Sequence, residues 1–426
     1  MKFISLKPLF DLDTLLQKLK DNKVVLKFLS SSFLSLPVSI IVSFLTFRRI
    51  EPYYMGVWLA MSIFETYATI LRLGVVNGMN RELPYYLGVG KTEEANEFAQ
   101  NTLAFSLLNI VVLLLIVPFV IFRFELNITY LACISVAVFR STTAFYTTYL
   151  SGTFRTSSHF NKLSNIQFIN LTSNLLLSPL IYFYGLYGFL AMQVLLTSIN
   201  LVLLHRFRPM RIKPALKVKV ILTLMKTGIP LFLTSYLVSL IDTIPRLFIL
   251  SYGNEVMLGL YSPVFILIST LALLPSTLGQ YYYPKLTYMF GQNNDAGQVW
   301  RKIKRLYLVT IIVTLPAILL GYLILDDVIK YFPKYVGSLP YLKIGLLMGP
   351  LVLSKLGNFV NVILKKTDQM GIYVVSYAFF QTTSLFILYR LNHDVLLTVI
   401  WSQILTSLCL FIVSYFLNQR TVKLSI

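Results

Sequence analysis

Acidic side chains are scarce in this sequence. Only 17 Asp and Glu stand against 37 Lys and Arg in 426 residues, and charged residues of both signs make up 13%. A soluble globular chain carries roughly a quarter charged residues, so this chain lacks the polar surface that a soluble protein of its length needs. The two cysteines, Cys133 and Cys409, both fall inside apolar runs and exclude a disulfide framework. Three histidines, His159, His205 and His393, lie far apart without metal-ligand spacing. No GxxxxGK[ST] loop is present, so direct ATP drive would need another subunit. These absences argue against enzyme chemistry, and neither a cofactor nor a metal is expected. What is abundant is apolar, at 56% hydrophobic residues, much of which must face lipid. The first 23 residues are studded with Lys and Asp and hold no long apolar core, unlike a cleaved signal peptide. Within them Leu9, Leu12, Leu16 and Leu19 recur at helical spacing, which predicts a helix lying on the inner membrane surface.

The expected fold class is all-α and polytopic, with about twelve transmembrane helices. Spans are predicted at 24–47, 56–78, 100–122, 128–150, 163–184, 187–205, 227–250, 256–282, 305–325, 338–361, 371–389 and 395–417. Only "YGLY" (Tyr184–Tyr187) separates the fifth from the sixth. If the N-terminus is cytoplasmic, 24 Lys and Arg fall in or beside inner segments and six in outer ones: Arg48, Arg49, Arg123, Lys330, Lys334 and Arg390. That asymmetry predicts both termini on the cytoplasmic side. It also accounts for most of the +20 net charge without a nucleic-acid partner.

The sequence echoes itself at offsets near 200. Lys27 matches Lys226, "YMGVWLA" (Tyr54–Ala60) matches "MLGLYSP" (Met257–Pro263), and "LPYYLG" around Pro84 matches "YPKLTYMFG" around Pro284. Two six-helix lobes are expected, over residues 1–204 and 227–426, joined by a basic, Pro-containing linker over 205–226. An even number of spans per half relates the lobes by an axis along the membrane normal, with a substrate path between them. In "GMNRELPYYLGVGK" (78–91) the helix is expected to leave the membrane after Asn77 and turn at Pro84. Tyr85 and Tyr86 would lie at headgroup level, Gly88 and Gly90 would end the element, and Thr92 would cap the next helix.

"EPYYMGVWLA", "RLGVVNGMNRELPYYLGVGKTEEA", the stretch from Gly228 to Ser276 and the following "YPKL" resemble the polysaccharide transporter family, including Wzx-type flippases of lipid-linked oligosaccharides. The motif-bearing parts are residues 50–96 and 226–292, and they mark a superfamily that also holds MATE drug exporters. The resemblance implies two six-helix lobes around a cavity that opens alternately inward and outward. The first span carries no acidic residue, whereas many MATE exporters carry a coupling Asp there.

Function is expected at the charges inside the spans, which cost roughly 2.5–3.5 kcal/mol each at the bilayer centre. Lys27, Lys226 and Lys343 lie close enough to an interface to snorkel. Arg72, Arg140, Arg246 and Lys355 remain, facing only two carboxylates at similar depth, Glu65 and Asp242. Asp242 and Arg246, four apart, are expected to pair along a helix and make Asp242 a poor proton carrier. Glu65, with no base four positions away, is the better candidate for coupling to a proton or sodium ion. The positive surplus suits an anionic passenger held by guanidinium forks. A polyprenyl-pyrophosphate-linked oligosaccharide in a bacterial cytoplasmic (inner) membrane is the expected cargo, carrying an O-antigen or capsule unit toward polymerase and chain-length partners. A polytopic polymerase or ligase is the alternative from another class, weakened by outer links of little more than a turn or two. A MATE-like exporter of cationic drugs is the second, disfavoured by the positive surplus.

Overall fold

The computed structural model describes residues 23–123, 127–157, 159–293, 295–351, 354–364 and 366–423. The surface helix expected over residues 5–20 lies outside them. Among the described residues no strand forms. The first half contains α1 (Lys23–Arg49), α2 (Pro52–Ala68), α3 (Val75–Gly88), α4 (Thr92–Arg123), α5 (Ile128–Thr156), α6 (Phe160–Leu177) and α7 (Pro179–Arg206). The second contains α8 (Val218–Ile241), α9 (Ile244–Tyr252), α10 (Glu255–Asn293), α11 (Ala296–Ile329), α12 (Leu339–Gly345), α13 (Met348–Leu351), α14 (Ser354–Ile363), α15 (Thr367–Asn392) and α16 (Val395–Lys423).

The helices are inside-out by the standard of soluble proteins. On α11, Leu308, Ile312, Leu315, Leu319 and Leu323 recur every three or four residues and are 56–65% exposed. A single apolar stripe turned outward has no aqueous use and fits a lipid-facing side. Buried hydroxyls such as those of Thr310 and Thr314 donate back to carbonyls one turn earlier, so no lone donor is left in an apolar setting. Among the described residues eight helices are long and apolar enough to cross a membrane, or nine if the bent pair α2–α3 is one span. The other three expected segments lie on α1, on the amide-rich α6, which is too polar to meet that measure, and on α12, α13 and α14, each of which is too short for it. The fifth and sixth segments do part inside "YGLY", where Gly185 takes φ 55° and interrupts α7.

Two features differ from expectation around the repeated motif. Pro84 does not turn the chain; it sits within α3, and Pro284 likewise falls within the uninterrupted α10. The break comes ten residues before Pro84. After α2 the chain makes a 3-10 turn (Thr69–Arg72), passes through Leu73 at φ 43° and Gly74 at φ 75°, and resumes as α3 at a 52° bend. Gly74 is there because the break rests on the other half: a Cβ on it would stand 2.6 Å from the Gly228 carbonyl carbon in α8. The opened helix is patched from α4, where Asn109 donates to the Leu71 carbonyl at 2.9 Å. Such breaks within membrane depth persist only where protein satisfies the freed backbone. The end of α3 follows expectation. Gly90 takes φ 80° and Lys91 N–H donates back to the Tyr86 carbonyl.

The halves meet backbone to backbone at two glycine crossings. At α3–α8, Gly74 and Gly78 face Gly228 and Leu224. At α2–α10 the contact is reciprocal: a Cβ on Gly56 would stand 1.7 Å from the Glu255 carbonyl oxygen, and one on Gly259 would stand 1.7 Å from that of Pro52. Residue i touching j' while j touches i' is the signature of a two-fold axis. Gly56 and Gly259 belong to the two segments matched in the sequence. Around this crossing Tyr130 donates to Glu255, Lys334 pairs with Glu51 at 3.3 Å, and Tyr335 donates to the Ile50 carbonyl at 3.2 Å. At the other end, extended residues 207–217 are strapped to α4, with Lys217 bonded to Glu97 and Asn101. Below, this is called the linker end.

Candidate functional site

A polar cavity of about 480 Å³ lies between the halves. One wall comes from the first half: Glu65 and Thr66 on α2, Arg72 at its break, Asn77 and Asn80 on α3, and Arg155 in the last turn of α5. The other wall is α8, with Ser235, Ser239 and the stacked rings of Phe232 and Tyr236, 5.3 Å apart. The broken second span therefore does the positioning. Leaving the helix at Thr69 places Arg72 on the cavity wall. A second cavity of about 290 Å³ near Ile40, Phe44 and Leu267 is apolar and offers nothing to a charged group.

The expected site residues fall into two groups. Arg140 and Arg246 are engaged by the protein. Arg140 stands 3.1 Å from Glu65, donates to Gln193 at 2.7 Å, and lies 5.6 Å from the centre of the Trp58 ring. The Glu65 contact is ionic rather than a well-aimed hydrogen bond, since its Oε1 is buried without a donor. Glu65 thus has a basic partner 75 positions along the chain, which spacing along its own helix does not report. Arg246 is 7% exposed, donates to Ser62 of the other half at 3.3 Å, and covers the Phe265 ring.

The expected Asp242–Arg246 ion pair does not form. Asp242 caps the C-terminus of α8 and, with Thr243, forms the turn between α8 and α9, and its carboxylate does not come within 4.0 Å of the Arg246 guanidinium. Asp242 instead accepts a hydrogen bond from Tyr377 of α15. Lys355 falls in α14, and its side chain lies outside those described.

Arg72 is held more loosely, by one 3.5 Å hydrogen bond from its Nη2 to the Ala144 carbonyl and by the Phe145 ring, whose centre is 5.8 Å from its guanidinium, and its Nε has no hydrogen-bond partner. Arg155 was counted from the sequence as an inner-surface charge, yet it lines the cavity. A signal for it existed: it follows Arg140 by fifteen residues, which on an α-helix turns only about 60° away. Gln193 and Tyr377, the partners of Arg140 and Asp242, carried no sequence signal.

Solved structures similar to this one are transporters. An inward-facing multidrug resistance MATE family transporter of the MOP superfamily matches with TM-score 0.73 and 12% identity, over 92% of this chain and 95% of that one. A MOP superfamily transporter from Pyrococcus furiosus, whose binding pocket of reverse polarity has been taken to suggest a different function, matches with TM-score 0.67 and 14% identity, over 95% and 96%. The Vibrio cholerae MATE transporter VcmN, as a mutant, matches with TM-score 0.64 and 12% identity, over 94% and 98%. At such identities the likeness is one of fold. No curated protein matches the sequence. The family model described as "Polysaccharide biosynthesis protein" matches residues 91–332. That region is more than half of the chain and spans both the linker and the α5 and α8 segments that line the cavity, so the chain belongs to the polysaccharide biosynthesis protein family.

Proposed function

We propose that this protein flips a polyprenyl-pyrophosphate-linked oligosaccharide, an O-antigen or capsule/exopolysaccharide unit, across a bacterial cytoplasmic membrane by alternating access. One observation carries the reading: the charged groups lining the cavity are two arginines and one carboxylate, and that carboxylate already faces Arg140. A cavity with this surplus favours an anion and opposes a cationic drug. The amide and hydroxyl groups of Asn77, Asn80, Ser235 and Ser239 are suited to sugar hydroxyls. Membership in a polysaccharide biosynthesis family and a MATE-like two-lobed fold agree with such a passenger.

In this reading the linker end is cytoplasmic, following the basic asymmetry, and the α2–α10 crossing closes the outer end. Directional movement draws on an ion gradient or on consumption of the sugar by outer partners, and Glu65 and Asp242 are the groups available to couple an ion.

The test uses the purified protein in sealed vesicles with a fluorescent polyprenyl-pyrophosphate oligosaccharide, quenched from outside. Protein-dependent flipping at least about tenfold above empty vesicles is expected, an acceleration worth roughly 1.4 kcal/mol. Gradient-driven movement of a cationic dye with no movement of the oligosaccharide would replace this reading with the drug-exporter one.

A further inference from the structure

The four arginines of the central region are not equivalent in what they leave free. Arg140 spends its guanidinium on Glu65, Gln193 and the Trp58 face, and Arg246 spends its own on Ser62 and the Phe265 face. Neither lines the polar cavity. Arg72 and Arg155 do, and the hydrogen bond of each is to a backbone carbonyl: Arg72 to that of Ala144 at 3.5 Å, with the Phe145 ring centre 5.8 Å from its guanidinium, and Arg155 to that of Ser151 at 3.3 Å. Neither has a carboxylate within 4.0 Å among the described residues. A guanidinium has five donors, so most of each fork is unspent.

We infer that Arg72 and Arg155 form the diphosphate-binding element of the cavity, while Arg140 and Arg246 are clamps that hold helices and lobes in register. This rests on the anionic-cargo reading above and locates its head group in the half of the cavity nearer the linker end. The two arginines come from different elements, the α2 break and the last turn of α5, so one diphosphate can be gripped by two forks at once, each matching a pair of phosphate oxygens. The break keeps Arg72 on the wall, and Asn109 locks the break through the Leu71 carbonyl.

Asn80 stands beside them with its Oδ1 buried and without a partner. Gly152 makes room for it, because a Cβ there would come within 2.6 Å of that oxygen. An unsatisfied acceptor cannot serve a phosphate, which has no proton to give at neutral pH. Among the cavity-lining side chains Asn80 is therefore suited to a neutral sugar hydroxyl rather than to the diphosphate. The facing α8 wall carries no charge, so it adds hydroxyls and ring faces without competing for the cations.

The experiment measures binding to the full-length protein in nanodiscs, with farnesyl diphosphate, farnesyl monophosphate and UDP as probes and thermal stability read on the same samples. Arg72→Gln and Arg155→Gln are each expected to weaken farnesyl diphosphate binding by about tenfold or more, the loss of a charge-assisted hydrogen-bond pair. Arg72→Lys and Arg155→Lys keep the charge and stem but lose the fork. They should keep folding intact yet reduce the preference for diphosphate over monophosphate. Arg301→Gln, which alters a surface arginine paired with Asp295, should bind as the parent does.

Parent-like farnesyl diphosphate binding by both Gln variants, with loss in Arg246→Gln, would overturn the assignment and leave the anionic-cargo reading standing. Failure of the parent to bind farnesyl diphosphate would overturn both. Binding of UDP equal to that of farnesyl diphosphate, with the same dependence on Arg72 and Arg155, would move the diphosphate from a lipid carrier to a sugar nucleotide and overturn the lipid-linked source.

Discussion

A single methyl group at the α2–α10 crossing should open one end of the protein. The Cβ of Gly56→Ala would lie 1.7 Å from the Glu255 carbonyl oxygen, and that of Gly259→Ala 1.7 Å from the Pro52 carbonyl oxygen. Ordinary contact begins at 3.4 Å, so a gap of 3.4 − 1.7, or 1.7 Å, must be made in each case. The atom struck is backbone on a long helix and cannot swing aside, so the helices themselves must separate. Overpacking of this kind costs about 1–3 kcal/mol. The cost falls only on the conformation in which the crossing is closed, which shifts a two-state equilibrium roughly 5–150-fold toward the open one. The helix-propensity gain of about 1 kcal/mol from Gly to Ala is present in both conformations and cancels.

The measurement is a spin-label distance between Ile128 and Ser251, exposed positions at this end on the two halves, in a background without Cys133 and Cys409. Both variants should populate a longer distance. Gly371→Ala, whose added Cβ meets nothing within 4 Å, should not. Equal responses from Gly56 and Gly259 are required, because the contact is reciprocal. A parent-like distance distribution in both variants, with the protein folded, would refute the crossing as the closed gate.

Topology can be checked with fused reporters: one after Met210 should report cytoplasm and one after Phe332 the outer side, and the reverse result would overturn the orientation. Coupling can be checked in vesicles. Glu65→Gln should blunt the response of flipping to an imposed proton or sodium gradient, Asp242→Asn should chiefly harm folding by releasing Tyr377, and a parent-like response in Glu65→Gln would shift the drive to sugar consumption outside. Because Glu65 and Arg140 face each other, the double variant Glu65→Gln/Arg140→Gln should be more stable than the sum of the single losses implies, and strict additivity would deny the pair.

What could be read from the sequence depended on how far apart the interacting residues lie. The apolar runs are local, and each of them became helix. The "YGLY" boundary is local too, because only glycine accepts the backbone turn found at Gly185. The repeat was legible through its matched motifs, although nothing in the letters said that Gly56 and Gly259 would touch each other rather than occupy equivalent places apart. The broken second span was misread for a physical reason. Pro84 breaks a local rule, so it drew attention, yet a proline within a helix removes only one backbone bond and α3 tolerates it. The actual break at Gly74 is imposed by Gly228, some 150 residues away, and mended by Asn109 on a third helix. The charges follow the same logic. Their number and sign gave a positive surplus, but pairing is a tertiary property, and it separated arginines that the sequence had grouped together. Arg140, grouped with Arg72, Arg246 and Lys355, is the one that meets a carboxylate. Arg155 looked like an ordinary anchor near a helix end, and it lines the cavity with its fork unspent. In a membrane interior, where each charge must find a partner or a purpose, the cavity-lining arginines that the fold leaves without a carboxylate are those with guanidinium donors left over for the proposed passenger.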